Sequence, residues 1–188
     1  MKETEITVQV FNTFDEIVNA LSSKGFKLIE SYHMTDWYFS KFDDVSSFSY
    51  SELINKSFLV RHRDDRKYMC LCYKNKEFDD CGNVVAEEQL HANTPDTLTA
   101  VKIFKEVGLN NYIIVDNTSY VYGNSDFSFT IQIIKGLGSF IEFEENESMK
   151  GMENKDKFDY MVSIVNSLGL KLGDDYSCKK VFMMLHNK

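Results

Sequence analysis

Polar and apolar residues alternate from the start of the chain. Glu3, Glu5, Thr7 and Gln9 fall on one side of residues 3–10, and Ile6, Val8 and Val10 on the other, the period-two pattern of a half-buried strand. The period then becomes helical. Phe14, Ile17, Val18 and Leu21 form an apolar stripe, Thr13 and Glu16 have capping-box spacing, and Gly25 is placed to end the helix. Further strands are predicted over 26–31, 36–40, 58–63, 67–74, 83–90, 112–116, 118–122, 127–134 and 139–145, many rich in aromatic and β-branched residues. Helical spacing returns over 97–107, where Leu98, Val101, Phe104 and Val107 precede Gly108. It returns again over 155–168, where Phe158, Met161, Val162, Val165 and Leu168 precede Gly169. A shorter helix is expected over Tyr50–Asn55, and the charged stretch 145–156 reads as a loop.

Many strands with hairpin-sized connections, interrupted by only a few helices, predict an α+β architecture with an antiparallel barrel rather than a doubly wound parallel sheet. Proline occurs once, at 95, and no repeat or low-complexity linker divides the 188 residues, so residues 1–188 read as one domain. The apolar runs are too short for a membrane span or a secretory signal, so the cytoplasm, off the membrane, is the expected location. Cys70, Cys72, Cys81 and Cys178 have no paired CxxC spacing and read as free thiols, with Cys70 and Cys72 on one strand face.

A net charge of −8 and a pI near 5.0 argue against nucleic acid as a partner, because affinity for a phosphate backbone depends on clustered Lys and Arg. A small phosphoanion is compatible with that charge when local basic groups or a divalent cation hold it. Glu3/Glu5 and Glu142/Glu144 each pair carboxylates at i and i+2, so each pair shares one side of its strand. Such oxygens suit Mg²⁺ or Mn²⁺, although alternating Glu can equally form a solvated strand face. Arg61 and Arg63 repeat the spacing with guanidinium groups, and Lys74 ends the next strand. They form either an anion cradle or a surface ladder of cross-strand ion pairs. His33, His62, His91 and His186 share no ligand spacing, and KGLGSF reads as a turn between strands, since no Lys-Ser/Thr follows its glycines.

Six segments in order resemble motifs of the CYTH, or triphosphate-tunnel, family. KETEITVQV resembles its ExExK strand, MTDWYF its QxDxYF segment, FLVRHRD its LRxR strand, LCYK its strand ending in lysine, and GLGSFIEFE its LGxFxExE segment. VNSLGLKLGDDYSCKK resembles the family's last helix, LG turn and Tyr-Ser segment. The resemblance implies an eight-stranded antiparallel β-barrel forming a tunnel, with flanking helices. It also implies the chemistry of class IV adenylyl cyclases, thiamine triphosphatases and inorganic triphosphatases, in which acidic residues hold a divalent metal and basic residues grip a triphosphate. Carried over residue by residue, Glu3, Glu5, Glu87, Glu142 and Glu144 are the metal-side positions, with Glu142 and Glu144 also catalytic. Arg61, Arg63 and Lys74 are the phosphate-side positions.

The departures fall on charged positions of the pattern. Thr7, Val85, Asn117 and Ser119 stand where basic residues are expected, Gln89 where a Glu is, and Gln132 where an Asp is. Each charge-assisted hydrogen bond contributes about 1.5–3 kcal/mol, so four lost basic groups would weaken a triphosphate grip by several. Two functions follow. One is a metal-dependent triphosphatase, with cyclase chemistry the lesser variant; the other is a non-catalytic protein that binds a phosphorylated ligand or nucleotide. Oligomeric state is left open, a homodimer included.

Overall fold

Thr13 caps the first helix in the computed structural model as its spacing predicts. Its hydroxyl accepts from the Glu16 N–H while the Glu16 carboxylate accepts from the Thr13 N–H. Residues 4–55, 57–66, 69–78 and 84–186 are described, apart from the side chains of 74, 78, 84–87 and 89. They form strands β1 (Glu5–Val10), β2 (Lys27–Ser40), β3 (Ser57–Arg63), β4 (Met69–Phe78), β5 (Val84–Thr94), β6 (Asn110–Gly123), β7 (Ser128–Ile134) and β8 (Gly138–Glu144). The helices are α1 (Phe14–Ser23), α2 (Tyr50–Asn55), α3 (Thr97–Glu106), α4 (Asn154–Asn166) and α5 (Lys180–His186), with a single 3-10 turn at Glu147–Met149.

The eight strands belong to one sheet in the order β1-β8-β7-β6-β2-β3-β4-β5, with β1 and β5 as its ends. The β1–β8, β7–β8, β2–β3, β3–β4 and β4–β5 pairs are antiparallel, so the fold is the α+β, eight-stranded antiparallel class expected. Ten predicted strands become eight because 26–31 joins 36–40 in β2, and 112–116 joins 118–122 in β6. Neither gap holds a Gly or Pro to break the extended backbone, and Asn117 is itself buried within its strand.

Two compact units are distinguished by their internal packing. One draws its described residues from 4–31 and 118–178, the other from 32–117 and 179–186. In the first, Ile6, Val8, Ile131, Ile141 and Phe143 meet Ile17 and Leu21 of α1 and Met161 and Val165 of α4 in a single apolar core. Each such side chain contributes about 1.5–3 kcal/mol by burial, so this core fixes which side of β1, β7 and β8 faces inward. The outer edge of β1 is covered by the chain after α4: the Thr7 N–H donates to the Tyr176 carbonyl, and the Cys178 N–H to the Thr7 carbonyl.

In the second unit, Phe104 of α3 packs edge-on to Phe39 of β2 and Phe58 of β3. The apolar stripe expected on α3 is corrected here. Leu98 and Val107 are 77% and 68% exposed, and the helix instead buries Thr97 and Ala100. Phe104 sets that rotation, since its ring reaches the sheet and turns the flanking positions outward. Helix α5 was not anticipated, and its Phe182 ring lies edge-on to Tyr50. No described helix is long and apolar enough to cross a membrane.

Candidate functional site

The β1–β8 register sets Glu5 directly opposite Glu144 and Thr7 opposite Glu142. On the other side of β8, Thr130 of β7 is opposite Glu142 and Gln132 opposite Phe140. Side chains alternate along a strand, so these residues share the sheet face turned away from the apolar core. Directly opposed Cβ atoms lie about 4.5–5.5 Å apart, which brings Glu5 and Glu144 within reach of one cation. Both are exposed, Glu142 is half-buried, and Thr7 and Gln132 are buried. The Gln132 Nε2 donates to Glu142 Oε2.

The fit of this face to Mg²⁺ or Mn²⁺ rests on its donors. Among the described residues, no group of three or more His, Cys, Asp or Glu side chains is arranged to hold a metal ion. Magnesium does not require one, because it is commonly held by one or two carboxylates, with substrate phosphates and water completing its shell. The opposed Glu5 and Glu144 supply such a pair. Glu3 lies outside the described residues. Glu87 has its backbone opposite Lys76 in the β4–β5 ladder, and its side chain lies outside the described residues.

The predicted basic positions lie in the second unit. Arg61 and Arg63 share one side of β3, opposite Asp36 and Met34 of β2. Arg61 donates side-on to Asp36, Nε to Oδ1 at 2.8 Å and Nη2 to Oδ2 at 2.7 Å. Arg63 makes the same fork with Asp65, at 3.0 and 2.8 Å, and its guanidinium lies 3.5 Å from the centre of the Tyr32 ring. The hydrogen bond from Arg63 holds the Asp65 carboxyl below the ordinary aspartate range. Lys74 is opposite Gln89 in the β4–β5 ladder, and its side chain lies outside the described residues. The motif order singled out Arg61 but not the partner that engages it. Asp36 lies in the MTDWYF segment, but its pairing with Arg61 is set by the β2–β3 register.

Two further groupings were not anticipated. Asp116, His33, Asp64 and His62 form a string across β6, β2 and the end of β3. In it His33 Nε2 is 2.6 Å from Asp116, His33 Nδ1 3.5 Å from Asp64, and Asp64 3.3 Å from His62 Nε2. Cys70, Cys72 and Cys178 are outside any disulfide, as expected, and the second grouping is on β4 and β5, where Cys72 Sγ lies 3.5 Å from His91 Nε2. Burial pushes the Cys70 thiol up. Cys81 lies outside the described residues.

The positions where the motifs depart from the family pattern have a common physical character. Thr7, Ser119 and Gln132 in the first unit, and Asn117 in the second, are all at most 5% exposed. A charged side chain at that depth would need a partner, whereas a hydroxyl or an amide needs only a hydrogen bond. The side chains of Val85 and Gln89 lie outside the described residues.

No family model matches the chain. A protein of Methanocaldococcus jannaschii named putative adenylate cyclase is 25% identical over 171 residues, covering 90% of this chain and 91% of the relative. A solved structure from Pyrococcus horikoshii OT3 matches 97% of this chain and 98% of its own, with a TM-score of 0.70 and 18% identity. Another, a putative adenylyl cyclase from Hippeastrum described as having a dominant triphosphatase activity, matches 100% of this chain and 97% of its own, with a TM-score of 0.64 and 13% identity. The motif order, the match along nine-tenths of the chain and the shared fold together bear out the resemblance to the CYTH, or triphosphate-tunnel, family.

Proposed function

We propose that the protein binds a triphosphate-bearing small molecule together with Mg²⁺ or Mn²⁺ and hydrolyses its terminal phosphoryl group. The observation that carries this reading is the β1–β8 register, which opposes Glu5 to Glu144 and adds Glu142 on the same face. It is supported by similarity to a protein named putative adenylate cyclase and by the fold shared with one described as a triphosphatase.

In this reading Glu5, Glu142 and Glu144 hold the cation, and the family resemblance adds Glu3 and Glu87 to the metal-side positions. A bound divalent cation there supplies charge neutralisation along the polyphosphate. The family resemblance gives Arg61, Arg63 and Lys74 as the phosphate-side positions, and arginine forks and a lysine point charge both suit phosphate oxygens. Cyclase chemistry is the lesser variant, because it requires a ribose hydroxyl to be positioned as accurately as the phosphates.

A second reading, ligand binding without turnover, has its own observation. Arg61 and Arg63 each already commit two of their five N–H donors to a carboxylate, which leaves fewer for phosphate. The test is incubation of the purified protein with ATP, thiamine triphosphate and tripolyphosphate in Mg²⁺ or Mn²⁺, measuring phosphate, pyrophosphate and cyclic AMP. Phosphate release identifies the triphosphatase and pyrophosphate with cyclic AMP the cyclase; no product from any substrate sinks the catalytic reading in favour of the binding one.

A further inference from the structure

We infer that Gln132 is the positioning residue for Glu142: its side-chain amide fixes the carboxylate's orientation and thereby sets the affinity of the β1–β8 face for a divalent cation. This rests on the reading of that face as a cation site given above.

Gln132 is 5% exposed, and its Nε2 donates to Glu142 Oε2. An ionised carboxylate only accepts, so the NH₂ end of the amide must be the end that faces it. The two residues are not directly opposed. Glu142 is flanked by Thr130 on β7 and Thr7 on β1, and Gln132 reaches it along the diagonal from its own place opposite Phe140. That diagonal spans about 7–8 Å between Cα positions, within reach of a long side chain. The Gln132 backbone lies in the β7–β8 ladder, and Ile131 beside it is fully buried in the core, so the donor stands on a rigid element. A donor so placed restricts the rotamers of Glu142 before any cation arrives. Groups that orient metal-binding carboxylates in this way commonly change metal affinity by about 10–100-fold when removed.

The experiment is a titration with Mn²⁺ alone, read as free Mn²⁺ by electron paramagnetic resonance, on the wild type, Gln132→Leu, Glu142→Gln and the double variant. Gln132→Leu is expected to weaken Mn²⁺ binding by about 10–100-fold. In the Glu142→Gln background the same replacement is expected to change nothing, because its effect runs through that carboxylate. A purely structural role for Gln132 would persist in that background, so an equal loss in both backgrounds overturns the inference. Unchanged affinity in Gln132→Leu alone also overturns it while leaving the cation face standing; a wild type that binds no Mn²⁺ overturns both. Should Gln132→Leu fail to fold, Gln132→Asn keeps the amide but shortens its reach by one methylene. The same loss is then expected, and wild-type affinity would refute the assignment.

Discussion

Arg61 and Asp36 meet side-on across β2 and β3, with both guanidinium–carboxylate contacts under 3 Å and the aspartate 2% exposed. The arginine is therefore a part of the scaffold as well as a candidate ligand for phosphate. Removing Arg61 would leave a buried carboxylate without its partner, so loss of ligand binding in Arg61→Ala has to be separated from loss of stability.

Asp36→Ala is expected to destabilise the protein by about 3 kcal/mol, the low end for breaking a buried ion pair. The low end applies because 31% of the Arg61 side chain stays in water. Urea unfolding measures it, and a loss under about 1 kcal/mol would mean that the pair is a solvated surface contact.

Acid should loosen the join between the start of β1 and helix α4. Burial alone would raise the Glu145 carboxyl, but the Lys157 ammonium at 2.8 Å and the Thr4 N–H at 3.0 Å donate to it and hold it below the ordinary glutamate value. A depressed folded value means that the stabilisation is complete above the unfolded pKa, about 4.3, and is lost as pH falls through the lower folded value. Unfolding free energies measured from pH 6 down to pH 3 should therefore fall less steeply in Glu145→Gln than in the wild type. Parallel curves would remove Glu145 from the account.

How much of this was legible before the fold was known differs between the backbone and the site. The alternation over the described residues 5–10, the Thr13/Glu16 box and the helix over Tyr50–Asn55 rest on neighbours in sequence, and they appear in place. The continuity of β2 and β6 and the rotation of α3 depend on what each strand or helix packs against, which no local period encodes. The same division holds at the site. That Glu142 and Glu144 share a face follows from spacing, whereas their opposition to Thr7 and Glu5, the bond from Gln132 and the commitment of Arg61 to Asp36 follow only from register.

The β7–β8 turn offers a backbone test. Gly136 and Gly138 have φ of +81° and +113°, and the Leu137 N–H donates to the Ile134 carbonyl, so KGLGSF is the tight turn its residues suggested. Gly138→Ala should cost about 1–2 kcal/mol, the penalty for placing a Cβ at positive φ, and should lower the thermal midpoint. An unchanged midpoint would contradict the turn geometry that sets the Glu142 register.

Thr13→Ala removes the hydroxyl that caps α1 and should cost about 1 kcal/mol in urea unfolding. Thr13→Ser should restore most of it, and equal losses in both would show that the methyl group, not the cap, matters.

In the proposed function the carboxylate face of β8 takes part in metal-dependent triphosphate hydrolysis. The most direct test is phosphate release from tripolyphosphate in Mn²⁺ by the wild type and by the Glu142→Gln/Glu144→Gln variant, both confirmed folded. Turnover is expected in the wild type and a loss of at least about 100-fold in the variant, some 2.7 kcal/mol of barrier. Equal turnover in the two proteins would contradict it.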